Sequence, residues 1–333
     1  MNERDPMTLL RRLAAGLALV LALPAAMAQE KMQLQLNWFQ LADHAPIYLA
    51  MKKGYFKEEG IELTVLRGSG SADSAKKIDL GQAEVGISDA PTVLTAISKG
   101  ANLKMVAVVY DKAGNNLFFK KTAAIKTPKD LVGKKIAVPP ADSHRVLWPA
   151  FAAINGIDPN SVTLVNIKPE GKQAIVAAGE VDGAFDLYTS YAIWEKVLGK
   201  GQVSNLLWAD FGLPIYGHTY FVNNDLIKKN PKLIEKFLRA THKGWKDAKA
   251  DPKAAIDAMV EAVPGLDGPT LLATMPQILD LCVTERSAKY GLGWIEPELM
   301  QKTMDITFAN AKPEKPVVLA DVFTNQFSSK IKP

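Results

Sequence analysis

The 333-residue chain has one cysteine, Cys282, and four histidines, at positions 44, 144, 218 and 242. A single cysteine rules out an intrachain disulfide and any site built from several thiolates. The histidines are scattered, with no HxxxH or HExxH pair, so no metal centre is expected from their spacing. There is no GxSxG elbow and no GxxxxGK[ST] loop, the signatures of hydrolases and phosphate-binding loops. Lys/Arg-rich runs and basic–aromatic interleaving are missing too, so no nucleic-acid partner is expected. No stretch beyond residue 28 approaches the roughly 20 apolar residues a membrane-spanning helix needs.

The N-terminus shows an export signal. Arg11 and Arg12 precede an apolar run from Leu13 to Leu23, and Ala26-Met27-Ala28 supplies the small-x-small pattern of a cleavage site. Cleavage is expected after Ala28, with an uncleaved anchor as the alternative. With no cysteine near the junction, a lipid anchor is unavailable, and a protein free in the periplasm is expected. Residues 1–28 hold three of the 40 basic and two of the 35 acidic residues, which leaves 37 against 33 and a net charge of +4. So mild a positive field is compatible with an anionic solute but does not require one.

Beyond residue 28, short apolar strands alternate with amphipathic helices, the α/β pattern. Strands are expected at Leu34–Trp38, Ile61–Leu66, Val85–Ile87, Leu103–Val109, Asn116–Lys120, Lys134–Val138, Val162–Val165, Gly183–Asp186, Asn205–Trp208 and Ile215–Asn223. Helices are expected between them, including Pro46–Glu59 and Ser143–Asn155. From Pro231 the character becomes helical, forming a C-terminal cap with an irregular tail from Lys312. The order fits two lobes: residues 29–117 with 216–333 as the first, and 118–215 as the second. Strands Asn116–Lys120 and Ile215–Asn223 are then the crossings of a hinge that closes on a ligand.

Ligands of open α/β sheets sit beyond the carboxyl ends of strands, where helix N-termini present free N–H groups. Four junctions qualify. At the first, Trp38 or Phe39 points into the cleft as an aromatic wall or packs beneath the helix, and His44 either donates to an anion or is structural. At the second, Ser69 and Gly70 form a polar cradle or a plain turn. At the third, Asp89 caps its helix or faces a ligand with N–H donors. At the fourth, Ser143 is a cap candidate, and His144 and Arg145 place cations in a first helical turn. That placement opposes the helix dipole, so it calls for an anion or a surface carboxylate. Asp186 and Tyr188 end a strand, and Tyr216, His218 and Tyr220 share one face by the two-residue period. Trp148 and Trp194 read as core.

Three motifs carry a family likeness: Leu36-Asn37-Trp38-Phe39, Asp43-His44-Ala45-Pro46-Ile47-Tyr48, and Lys53-Gly54-Tyr55-Phe56-Lys57-Glu58-Glu59-Gly60. With them go Gly68-Ser69-Gly70-Ser71, Gly81-Gln82-Ala83-Glu84-Val85-Gly86 and Asp130-Leu131-Val132-Gly133-Lys134-Lys135. The sequence resembles the solute-binding proteins for thiamine-pyrimidine precursors, nitrate, taurine and sulfonates. The resemblance implies a two-lobed periplasmic binding protein fold (type II) with two hinge crossovers. It further implies a monomeric receptor, without cofactor, that delivers its solute to an ABC permease and its ATPase through transient contact. Two solute classes fit, the anion being the one expected and the pyrimidine its alternative. Arg145, His144 and His44 favour an aromatic or organic carboxylate or sulfonate anion; Trp38, Phe39, Asp89 and Asp186 favour a thiamine-type pyrimidine. A receptor that signals rather than transports is a further alternative. The related pyrimidine synthase of fungal thiamine biosynthesis carries a cysteine-rich motif that Cys282 alone does not match, so no catalytic residues are expected.

Overall fold

The computed structural model describes residues 29–309 and 313–328, so the expected signal segment 1–28 lies outside it. Its strands are β1 (Glu30–Gln35), β2 (Ile61–Leu66), β3 (Val85–Asp89), β4 (Leu103–Val108), β5 (Asn115–Lys120), β6 (Lys135–Val138), β7 (Thr163–Asn166), β8 (Gly183–Leu187), β9 (Val203–Leu207) and β10 (His218–Asn223). They form two sheets, ordered β2-β1-β3-β10-β4 and β7-β6-β8-β5-β9.

Each sheet has one antiparallel member. It is β10 in the first, paired with β3 and β4, and β5 in the second, paired with β8 and β9. These are the two strands that the chain enters on arriving from the other sheet. A parallel strand needs a crossover of a dozen or more residues to bring the chain back to its starting end. A short link across a gap enters each sheet at its gap-facing end, so the arriving strand runs the opposite way. The carboxyl ends of the parallel strands of both sheets therefore face one gap.

The links are residues 109–114 and 208–217. They lie side by side: His218 O accepts from Val109 N (2.7 Å) and Tyr110 N (3.0 Å), Tyr110 O from Gly217 N (2.9 Å), and Ile215 O from Ala113 N (3.0 Å). The crossings expected at Asn116–Lys120 and Ile215–Asn223 are thus displaced. The boundary expected after residue 117 falls inside β5, which is paired along its length in the second sheet. Ile215–Gly217 runs directly into β10, so its sequence reads as part of that strand.

Other expectations shift for local reasons. The helix expected over Pro46–Glu59 is two, Ala45–Lys52 and Tyr55–Glu58, because Gly54 adopts φ +78° between them. The expected irregular tail contains a short helix, Leu319–Val322, and Phe323 bridges Met105 of β4. The helical cap is present. In its longest helix, Pro231–Ala250, Leu233, Ile234, Phe237, Leu238 and Trp245 form a buried stripe. They pack with Leu34, Val85, Tyr220 and Val222 on one face of the first sheet, each side chain contributing about 1.5–3 kcal/mol.

Candidate functional site

Where the lobes meet, a cavity of about 30 Å³ is lined by Asn37, Trp38, Leu41, Ser71 and His218 from the first lobe. Asp142, Ser143, His144, Lys172, Asp186 and Leu187 line it from the second. The lobes touch around it. Arg67 pairs with Glu170 at 2.5 Å and Lys196 pairs with Asp267. Ala72 N donates to Ala141 O at 3.3 Å.

The second-lobe wall is a buried charge cluster. Lys172 Nζ lies 2.8 Å from Asp142 and 3.4 Å from Asp186, and 4.6 Å from the ring centre of Trp38 across the gap. Asp186 also accepts from Trp194 Nε1 (3.0 Å) and Leu187 N (3.0 Å). Burial disfavours the Lys172 ammonium, but Asp142 and then Asp186 outweigh it and hold the pKa above the usual lysine value. Burial likewise works against the Asp142 carboxylate, yet Lys172 and His144 hold its pKa well below the ordinary range. Asn116 N–H donates to His144 Nε2 at 3.2 Å, so the ring proton is on Nδ1, 2.6 Å from Asp142. His144 is stacked on Phe185, with Trp208 edge-on to it.

The first-lobe floor is a second cluster. Asp43, in the 3-10 turn Ala42–His44, faces His44 at 3.5 Å and His218 at 3.6 Å. Burial raises its pKa, but His44, His218 and Tyr110 together bring it down to about 2. A carboxyl whose folded pKa lies below its unfolded value stabilises the fold at pH above the unfolded pKa and loses that contribution as pH falls toward the folded one. From 3.8 to about 2, the Asp43 contribution is about 2 kcal/mol, lost between about pH 4 and pH 2. Asp43→Asn should remove that part of the acid dependence, read as a flatter melting temperature against pH over this window. Asp89 and Asp111 act with the opposite sign, since burial raises both pKa values and acidification relieves them.

The structure brings together Trp38, Ser143, His144, Asp186 and His218 of the residues expected from sequence. His44 stands behind them, its Nε2 3.3 Å from Asn37 Oδ1. Gly70 lies in the lobe contact, close to Ala141. The others sit elsewhere. Phe39 carries the Arg67 guanidinium 5.5 Å above its ring. Ser69 is exposed and donates to Asp73 at 3.1 Å. Asp89 caps the helix Ala90–Ser98 through Thr92 N at 3.1 Å. The cap of Ser143–Ile154 is Asp142, through His144 N at 3.0 Å, and not Ser143. Arg145 turns back to Pro139 O (2.9 Å), Val138 O (2.9 Å) and Asn166 Oδ1 (2.5 Å). Tyr188 N donates to Gly114 O at 2.8 Å. Tyr216 precedes β10, and its ring joins the core layer opposite to that of Tyr220, so the expected shared face does not form.

Sequence reasoning missed Asn37, Asp142 and Lys172. The signal for Lys172 was present: a cation in the first turn of the helix Lys172–Ala178, directly after the β7 junction, opposes the dipole as Arg145 does.

The family model described as "NMT1/THI5 like" matches residues 41–255. The chain is 29% identical to the riboflavin-binding protein RibY of Chloroflexus aurantiacus, over 92% of this chain and 89% of that one. It is 23% identical to a formylaminopyrimidine-binding protein of Halalkalibacterium halodurans, over 90% and 91%. It is also 25% identical to a 4-amino-5-hydroxymethyl-2-methylpyrimidine phosphate synthase of Legionella pneumophila, over 72% and 76%. Among solved structures, the alkanesulfonate-binding protein SsuA of Xanthomonas axonopodis pv. citri shares the fold with a TM-score of 0.68 at 18% identity, over 90% of this chain and 99% of that one.

Proposed function

The chain belongs to the NMT1/THI5 like family, and from that premise we propose that it is the extracytoplasmic solute-binding component of an ABC import system. It captures a planar nitrogen heterocycle with amino or ring N–H donors, in the manner of a pyrimidine or flavin, and hands it to a membrane permease. One observation carries this reading: the Trp38 face of one lobe stands opposite the Asp142–Lys172–Asp186 cluster of the other. An aromatic face stacks a flat ring, and buried carboxylates accept its N–H groups.

The anionic solute expected from the sequence has less to hold it. Arg145 is engaged by three acceptors of its own lobe, and the one cleft ammonium lies between two carboxylates. The relatives named for riboflavin and formylaminopyrimidine support the heterocycle. Solute sites occupy roughly 300–1,000 Å³, against about 30 Å³ here, so solute entry requires the lobes to part and close again. A solute that touches both lobes stabilises the closed form by its differential affinity.

The relatives named as synthases raise the question of chemistry. We propose binding without turnover, because Cys282, the single thiol, is buried and Asp142, His144 and Lys172 are paired with one another. Export to the periplasm is part of the same proposal. β1 begins at Glu30, two residues past the expected cleavage site, and no helix among the described residues is long and apolar enough to cross a membrane.

The test is a thermal-shift panel on the purified protein with 4-amino-5-hydroxymethyl-2-methylpyrimidine, riboflavin, taurine, benzenesulfonate, phthalate and nitrate. A heterocycle at about 100 times its Kd should add about 2.7 kcal/mol and be recovered unchanged. Stabilisation by the acids alone would overturn the solute class, and turnover would overturn the binding role.

A further inference from the structure

We infer that Asn37 is a positioning residue that fixes the ring protons of the two first-lobe histidines, on Nε2 in His44 and on Nδ1 in His218. The order starts at a backbone group that can only donate. Leu41 N–H points to His44 Nδ1 at 3.2 Å, so that nitrogen carries no proton. Asp43 Oδ1, beside it, has no hydrogen-bond donor, as an unprotonated Nδ1 requires. The His44 proton is therefore on Nε2, 3.3 Å from an Asn37 side-chain oxygen that accepts it. The other end of that amide, Nδ2, always donates, and it lies 3.1 Å from His218 Nε2. That nitrogen is the acceptor, which leaves the His218 proton on Nδ1, facing Asp43 Oδ2 at 3.6 Å.

Rotating the Asn37 amide would set its NH2 against His44 Nε2–H and its oxygen against the His218 lone pair, losing both bonds. Asn37, His44 and His218 are 5%, 1% and 2% exposed, so water does not compensate. A second proton on His44 would meet Leu41 N–H, and one on His218 would meet the Asn37 NH2. Charged groups surround both rings. Asp43 faces both rings, and Asp89 is the cross-strand partner of His218. The Tyr110 ring stacks on His218 at 4.5 Å, and burial and then Asp43 raise the pKa of Cys282 at the end of the helix Gly268–Cys282. Across the cavity stand Asp142, His144, Lys172 and Asp186. The cleft floor thus offers one fixed set of donors and acceptors. That consequence rests on the cleft being the solute site; the proton positions do not.

Imidazole ¹⁵N NMR of the solute-free protein at pH 8 tests this. His44 Nδ1 and His218 Nε2 should resonate as unprotonated nitrogens. In N37D the new carboxylate accepts from both rings. His44 should keep its tautomer, while His218 should now carry a proton on Nε2. The opposite tautomer on either wild-type ring, or a folded N37D whose His218 Nε2 stays unprotonated, overturns the proposal. Should N37D fail to fold, the wild-type spectrum decides alone. A failed solute panel leaves these spectra as expected, so the two readings fail separately.

Discussion

Lys172→Met should lower the stability of the protein by about 3–5 kcal/mol, the usual result of removing one partner from a buried ion pair. Methionine keeps the stem length, and the contact of the ammonium with the Trp38 ring is lost with the charge. What disappears is the ammonium 2.8 Å from Asp142 and 3.4 Å from Asp186. The two carboxylates are 6% and 7% exposed, so water does not replace it. The loss falls mainly on Asp142, whose remaining donors are His144 Nδ1–H and the His144 backbone N–H. Asp186 keeps Trp194 and the Leu187 N–H.

Two consequences separate this account from loss of packing. The double variant Asp142→Asn/Lys172→Met should be more stable than Lys172→Met alone, because the neutral amide needs no counter-ion and its oxygen still accepts from His144. With its attraction to Lys172 gone, Asp142 should titrate higher in the single variant than in the wild type. That variant should therefore lose less stability on acidification. Urea unfolding at pH 7 reads the first effect, and pH 7 against pH 3 reads the second. A single variant within 1 kcal/mol of the wild type would sink the account.

The pattern of strands and helices was legible because short apolar runs such as Ile61–Leu66 after Gly60 and Lys135–Val138 before Pro139 alternate with helices, and the longest cap helix carries a stripe of Leu233, Phe237 and Leu238. What was not legible is which strand runs antiparallel. β5 and β10 look like their parallel neighbours in sequence, and only the direction from which the chain enters each sheet sets them apart.

At the site, Trp38, His144 and His218 were found because they sit at strand ends or helix starts. Arg145 and Lys172 share a further signal, a cation in a first helical turn, and differ in where the side chain goes. A long side chain on a helix leans toward the N-terminus. From Arg145 that direction leads back to the last carbonyls of β6 and to Asn166 at the end of β7. From Lys172, at the first helical position, it leads out of the helix to Asp142 and the gap. Sequence spacing contains the conflict with the dipole but not the acceptors that resolve it.

Gly70→Ala should lower solute affinity by about 100-fold or more, roughly 2.7 kcal/mol, while both lobes stay folded. The loop holding Gly70 comes from the first lobe, and a Cβ placed there would lie 2.5 Å from Ala141 O, 2.7 Å from Ala141 Cβ and 2.8 Å from Ala141 C in the second. Two of those atoms are backbone, so no rotamer change relieves the contact, and the lobes must separate. The clash exists only in the closed arrangement, so it acts on closure and on any affinity that depends on closure. Gly70 also has φ +149°, a strain that an alanine would carry in the open form as well. Gly81→Ala isolates that second effect, since Gly81 has φ +68° with nothing within 4 Å of an added Cβ. It should cost about 1–2 kcal/mol of stability and leave affinity unchanged. X-ray scattering with a solute that binds the wild type should show compaction for the wild type and Gly81→Ala, and none for Gly70→Ala. Equal affinity and equal compaction in all three would mean that the lobes grip their solute without meeting at Gly70 and Ala141, and that the closed arrangement is not the one that holds it.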